Sequence, residues 1–108
     1  MKKQQYILKK SVKKNKKFMI IIDFSSKYHF GDSRCKDYTN YYTELIPDDA
    51  YYKKLAYISL HKKNEDWTKY GIRTSGFWNR WILWNLPTIS ESIKDVEKRF
   101  NVKIKYSE

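Results

Sequence analysis

The segment SGFWNRWILWN, residues 75–85, limits what this chain can become more than any other stretch. It places Phe77, Trp78, Trp81 and Trp84 within eight residues of a chain that has four tryptophans in 108 residues. Helical spacing puts Phe77, Trp81 and Trp84 on one face and Trp78 with Ile82 on the adjacent one. A helix that is apolar around most of its circumference belongs at the centre of a fold. Burying these aromatics contributes on the order of 10 kcal/mol before chain entropy is charged, comparable with the whole net stability of a domain. The cluster is therefore expected to be a core, and a chain this short holds only one. Trp78, beside Asn79 and Arg80, is the candidate for an outward-facing indole that stacks on bases or anchors an interface.

The elements around that helix are legible from periodicity. FMIIIDF, residues 18–24, reads as a strand with Phe18, Ile20, Ile22 and Phe24 on one face. SSK then reads as a hairpin turn into YHFGD. Residues 32–46 show no firm pattern. Pro47-Asp48-Asp49 opens a helix that His61-Lys62-Lys63 closes, with Tyr51, Leu55 and Ile58 as its apolar stripe. Ser75 is the expected cap of the tryptophan helix, which Asn85 and Pro87 end. TISE, residues 88–91, is a capping box that opens a helix running to Phe100. Val102, Ile104 and Tyr106 alternate in a final strand. The expected class is α+β: a small antiparallel sheet, made of a hairpin plus the C-terminal strand, packed on about three helices.

Charge divides the chain unevenly. Residues 1–17 hold eight lysines and no acid, while residues 18–108 hold fifteen basic groups against twelve acids. The expected organisation is a basic, partly flexible N-terminal arm (1–17) on a single domain (18–108), with Tyr6-Ile7-Leu8 a short edge strand within the arm. A lysine block of this kind attracts polyanions. The candidate nucleic-acid contacts are Lys9, Lys10, Lys13, Lys14, Lys16 and Lys17 in the arm, with Arg73, Arg80 and Trp78 on the domain. Arg73, Thr74 and Ser75 also suit a helix N-terminus that would hold a phosphate. The expected partner is nucleic acid bound without sequence preference, or an acidic structural protein.

Other chemistries find little support. Cys35, His29 and His61 lack the spacing of a zinc site, so no metal is expected. The three glycines form no phosphate loop. No acid is followed two residues later by lysine, the step common in metal-dependent nucleases. His61 and Glu65 are spaced to meet at a helix end. Cys35 lies between Arg34 and Lys36, which favours a thiolate, but no second element marks it as a nucleophile. No catalytic residue and no cofactor are assigned. One cysteine forms no internal disulfide, and no stretch has the apolar length of a leader or a membrane span. A cytoplasmic or virion setting, not a secreted one, is expected.

Two stretches carry a resemblance: HFGD and KDYT (29–32 and 36–39), then YISLHKKNEDWTKYGIRTSGFWNRWILWNLPTISESIKDVEKRF (57–100). They resemble a family of small proteins of large double-stranded DNA viruses of algae and amoebae, and of some phages. That family's pattern runs Y-I-x-x-H, E-x-W-x-K-x-G-I-x-T, G-F-W-x-[RK]-W-x-L-W, then a proline and S-I-x-D-x-E-x-R-F. Positions that match are His29, Gly31, Asp37, Tyr38, Thr39, His61, Glu65, Trp67, Gly71, Thr74, Gly76, Phe77, Trp78, Trp81 and Trp84. The turn within IDFSSKYHFG departs from the glycine-containing hairpin of the pattern. The resemblance implies a viral setting and assigns no catalytic residue. It favours a virion-associated or nucleic-acid-binding adaptor. The alternatives are a small enzyme acting on nucleic acid, with His29, Asp32, His61 and Arg73 in one cleft, and a host-directed interaction module with an exposed aromatic face.

Overall fold

The computed structural model describes residues 4–107. Eight main elements follow in order: β1 (Tyr6–Lys10), β2 (Lys16–Ile22), β3 (Ser26–Asp32), α1 (Tyr38–Glu44), α2 (Pro47–His61), α3 (Ser75–Trp78), α4 (Ile89–Phe100) and β4 (Ile104–Ser107). The class is α+β. The four strands form one sheet in the order β3-β2-β1-β4. β1 pairs antiparallel with β2, and β2 with β3, but β4 runs parallel to β1. The sheet is therefore mixed.

The expected arm is revised by that topology. Tyr6-Ile7-Leu8 is an interior strand, not an edge, with Tyr6 opposite both Ile22 and Ile104. Three apolar residues suffice because both neighbours supply hydrogen bonds and Leu8 is wholly buried between them. Met1, Lys2 and Lys3 of the arm lie outside the described residues.

Strand alternation sorts the side chains. Tyr6, Leu8, Ile20, Ile22, Phe30 and Ile104 face the helices and meet Phe77, Trp78, Ile82, Leu83, Ile93 and Val96 in one core. The opposite face carries Ile7, Lys9, Met19, Ile21, Lys27, His29 and Lys105. The β2–β3 turn falls at Asp23-Phe24, both in the left-handed region (φ 53° and 65°), with Ser25 N–H donating to Ile22 O. Phe24 thus leaves the strand face expected of it and is 71% exposed.

The tryptophan segment is not one regular helix. Thr74, not Ser75, caps α3 by accepting from Phe77 N–H. After Trp78 the backbone widens into a π turn over Asn79–Leu83, closed by Trp84 N–H donating to Asn79 O at 3.2 Å. The extra residue in that turn buries Trp81, Ile82 and Leu83 in succession. At α4, Thr88 accepts from Glu91 N–H, while the Glu91 carboxylate accepts from the Thr88 hydroxyl instead of the backbone. Asn101 ends that helix in the left-handed region.

Helix α1 fills part of the stretch without a pattern. Asp37 caps it in a box with Asn40. Pro47, Asp48, Asp49 and His61 sit at the ends of α2 as expected. Its inward stripe differs: Ala50 and Tyr57 are buried, with Lys54 and His61 on the same face, whereas Tyr51 and Leu55 are exposed. α2 rests on α1 and Trp84 and away from the sheet, so polar anchors choose its orientation. Lys54 Nζ donates to Asn85 O at 2.6 Å, and Tyr57 stacks on Trp84 at 4.4 Å.

Candidate nucleic-acid interface

The β1–β2 connection, residues 11–15, is a tied loop. Asn15 takes a left-handed conformation (φ 65°), and its carbonyl accepts from Ser33 N–H at 3.0 Å. Lys16 N–H donates to Lys13 O, closing a turn that presents Lys13 and Lys14. Ser11 Oγ accepts from Lys13 N–H and is hydrogen-bonded to His29 Nδ1 at 2.7 Å. The loop is thereby fixed to β3.

His29 reports the charge gathered there. Its pKa is held below the ordinary imidazole value, first by desolvation and then by Lys13, Lys27 and Lys16. Among the described residues, Lys9, Lys10, Lys13, Lys14, Lys16 and Lys27 make none of the ion pairs formed by lysine or arginine. Asp32, opposite Lys16 in the ladder, is taken by Arg34, whose side chain and N–H bonds hold that carboxyl down to about 2. The loop end of the sheet therefore presents uncompensated positive charge, to which Lys27 adds from farther along β3.

The remaining sequence candidates sit elsewhere. Lys17 is turned away from the cluster, with Nζ 2.6 Å from Asp37 Oδ2 and 3.1 Å from Asn40 Oδ1. Trp78 is wholly buried and donates from Nε1 to Ile72 O, so it presents no indole to a partner. The expectation of an exposed Trp78 is corrected: β1 supplies Tyr6 against its ring, at 6.0 Å, and the core closes over it. Arg80 is structural as well. Its guanidinium lies over Trp81 at 4.4 Å and Trp67 at 5.4 Å, and Nη1 donates to Trp84 O. Arg73 is exposed but lies at the far end of β3, beside Asp23 and Ser26.

A cleft made of two adjoining pockets lies beside the lysine cluster. Gly31, Asp32 and Asn79 line both its halves, with His29 and Glu65 on one side and Lys17, Cys35, Asp37, Tyr57 and His61 on the other, where the cavity measures about 270 Å³. Gly31 has φ 78°, and a Cβ there would meet Leu83 Cδ1 at 2.5 Å, so the floor admits no larger residue without strain. Trp84, Tyr57 and His61 stack in sequence with centroids 4.4 Å apart. His61 Nδ1 lies 3.3 Å from Glu65 Oε2, and Glu65 Oε1 accepts from Trp67 Nε1. Burial pushes the Tyr57 phenol well above its ordinary range. Asn79 Nδ2 donates to Tyr57 Oη, whereas Asn79 Oδ1 is buried without a partner. The fold thus places His29 and His61 in two adjoining pockets that share Asp32, and leaves Arg73 out.

Sequence reasoning missed Lys27, Tyr57 and Asn79. Lys27 was hidden in an assumed turn, and the i, i+4, i+7, i+11 spacing of Ala50, Lys54, Tyr57 and His61 was the available signal for α2's inward face. Among the described residues no group of three or more His, Cys, Asp or Glu side chains is placed to hold a metal. No helix there is long and apolar enough to cross a membrane. Compared with family models, curated proteins and solved structures, the chain matches none.

Proposed function

We propose that the protein binds nucleic acid through the phosphate backbone, using the lysine cluster at the β1–β2 loop end of the sheet. The observation that carries this reading is the set Lys9, Lys10, Lys13, Lys14 and Lys16 towards that end, with Lys27 farther along β3, none of them paired with an acid, and with Lys13, Lys27 and Lys16 adding to desolvation in lowering the pKa of His29. Phosphate contacts of this kind position a protein on a duplex without reading its sequence. A tied loop holds the charges in place before binding, so little ordering entropy opposes it.

The lysines are tested by neutralising them in place, because truncating residues 2–17 would remove an interior strand. Retardation of an arbitrary DNA duplex is measured over a salt series. If all these lysines contact phosphates, the log–log slope is about −5. The combined variant Lys13→Gln, Lys14→Gln, Lys16→Gln should reduce its magnitude by about 2 to 3. A wild-type chain that leaves the duplex unretarded at low salt, or a variant slope equal to the wild-type one, would overturn the reading.

A further inference from the structure

The outward face of α2 is apolar and unpartnered. Tyr52 is 67% exposed and Leu60 is 70% exposed. Together with Asp49 and Ala56 they follow the 3-4 spacing of one helical stripe, which Lys63, in the turn just past the helix end, extends so that Ala56 is at its middle. Asp49, Tyr52, Lys53 and Ala56 also line, with Leu45, a shallow groove of about 500 Å³. Positions i, i+3, i+4 and i+7 are the four that form a hole for a knob from a facing helix.

We infer that this face is the two-fold interface of a homodimer, in which α2 packs antiparallel on α2 of a second copy about an axis at Ala56. The stripe is self-complementary only in that arrangement. Antiparallel pairing centred on Ala56 sets Tyr52 against the partner's Leu60 and Asp49 against the partner's Lys63, twice over by symmetry. The hole at Asp49, Tyr52, Lys53 and Ala56 is centred half a residue from the point that the partner's Leu60 reaches. Ala56 is small enough to let the helices approach where they cross. Asp49 and Lys63 make no ion pair within the described chain, so each is available to the other copy. A parallel pairing would instead oppose Asp49 to Asp49 and Lys63 to Lys63. The face is a single helix and is smaller than a permanent interface, so the dimer should be concentration-dependent. The inference rests on α2 alone and is independent of the lysine cluster.

Sedimentation velocity on the full chain, over a range of concentrations, provides the test. Wild type should move from monomer to dimer as concentration rises, and Ala56→Glu should remain monomeric. Asp49→Lys and Lys63→Asp should each weaken the dimer about tenfold or more, by placing like charges opposite one another. The double variant Asp49→Lys, Lys63→Asp should restore it to near the wild-type constant. A wild type that stays monomeric throughout overturns the inference. So does a dimer that survives Ala56→Glu, or a double swap that fails to restore association while its circular dichroism matches wild type.

Discussion

Lys17 Nζ stands 2.6 Å from Asp37 Oδ2 and joins the start of β2 to the cap of α1. The pair is largely withdrawn from water, with side-chain exposures of 18% and 5%. Asp37 also accepts from Thr39 N–H and Thr39 Oγ1, so one carboxylate holds the helix start and anchors it to the sheet. Lys17→Ala would leave that carboxylate without its counter-ion. We expect a loss of about 2–3 kcal/mol in urea unfolding. Lys14→Ala, on the exposed loop, should lie within about 0.5 kcal/mol of wild type. Equal effects of the two would show that the ion pair does not hold the helix.

Trp78 and Trp81 each hydrogen-bond a connecting segment from inside the core. Trp78 Nε1 donates to Ile72 O at 2.7 Å and Trp81 Nε1 to Trp67 O at 2.9 Å. These bonds pin residues 67–72 over the helices. Either tryptophan replaced by alanine should lose about 3–5 kcal/mol. Trp78→Phe keeps most of the volume but leaves Ile72 O unpaired, and should cost about 1–3 kcal/mol. An unchanged melting temperature for Trp78→Ala would refute the buried placement.

The core was legible in the sequence because large aromatics at helical spacing have few places to go. The strands β2, β3 and β4 were legible by alternation. β1 was misplaced because its lysines carried the reading: Lys9 and Lys10 belong to a strand whose inner half, Tyr6 to Leu8, is only three residues long. The α2 stripe was misread for a related reason. Tyr51, Leu55 and Ile58 form the more hydrophobic helical face, but Lys54 and Tyr57 find partners in Asn85 O and Trp84 that outweigh burial of Leu55. Of the candidate site, the lysines of residues 9–16 were legible from charge. Lys17, Arg80 and Trp78 were not separable from them, because one sequence does not reveal which cation has a buried acceptor nearby.

The β2–β3 turn stores local strain in Phe24. A residue with a Cβ at φ 65° costs about 1–2 kcal/mol relative to the right-handed region. The ring is 71% exposed and returns little of that by burial. Phe24→Gly relieves the conformation but adds entropy to the unfolded chain, so the net gain should be about 0.5–1 kcal/mol. Phe24→Val, β-branched at the same φ, should be less stable than wild type. Thermal unfolding of wild type and the two variants gives the order directly, and a glycine variant less stable than wild type would show that the phenyl ring itself holds the hairpin.

His29 links the lysine cluster to pH. Its pKa in the free protein lies below the ordinary value, about 6.5, because desolvation and then Lys13, Lys27 and Lys16 oppose the charged ring. The unfolded chain therefore binds this proton more readily than the folded one. The folded state's advantage at this site is complete above about pH 6.5 and shrinks as pH falls below it. A bound phosphate reverses the local field and favours the imidazolium. Binding should then take up a proton, and duplex affinity should rise as pH is lowered from about 8 to about 5.5, by no more than tenfold per pH unit. His29→Gln removes the titrating ring while leaving a polar group opposite Ser11, and should flatten that rise without changing affinity at the alkaline end. His61→Asn, in the cleft behind the lysines, should leave the rise intact. Retardation of one duplex by the three proteins at fixed ionic strength makes the comparison. A wild-type affinity independent of pH, or a rise abolished by His61→Asn and retained by His29→Gln, would place the phosphate contacts away from the β1–β2 loop.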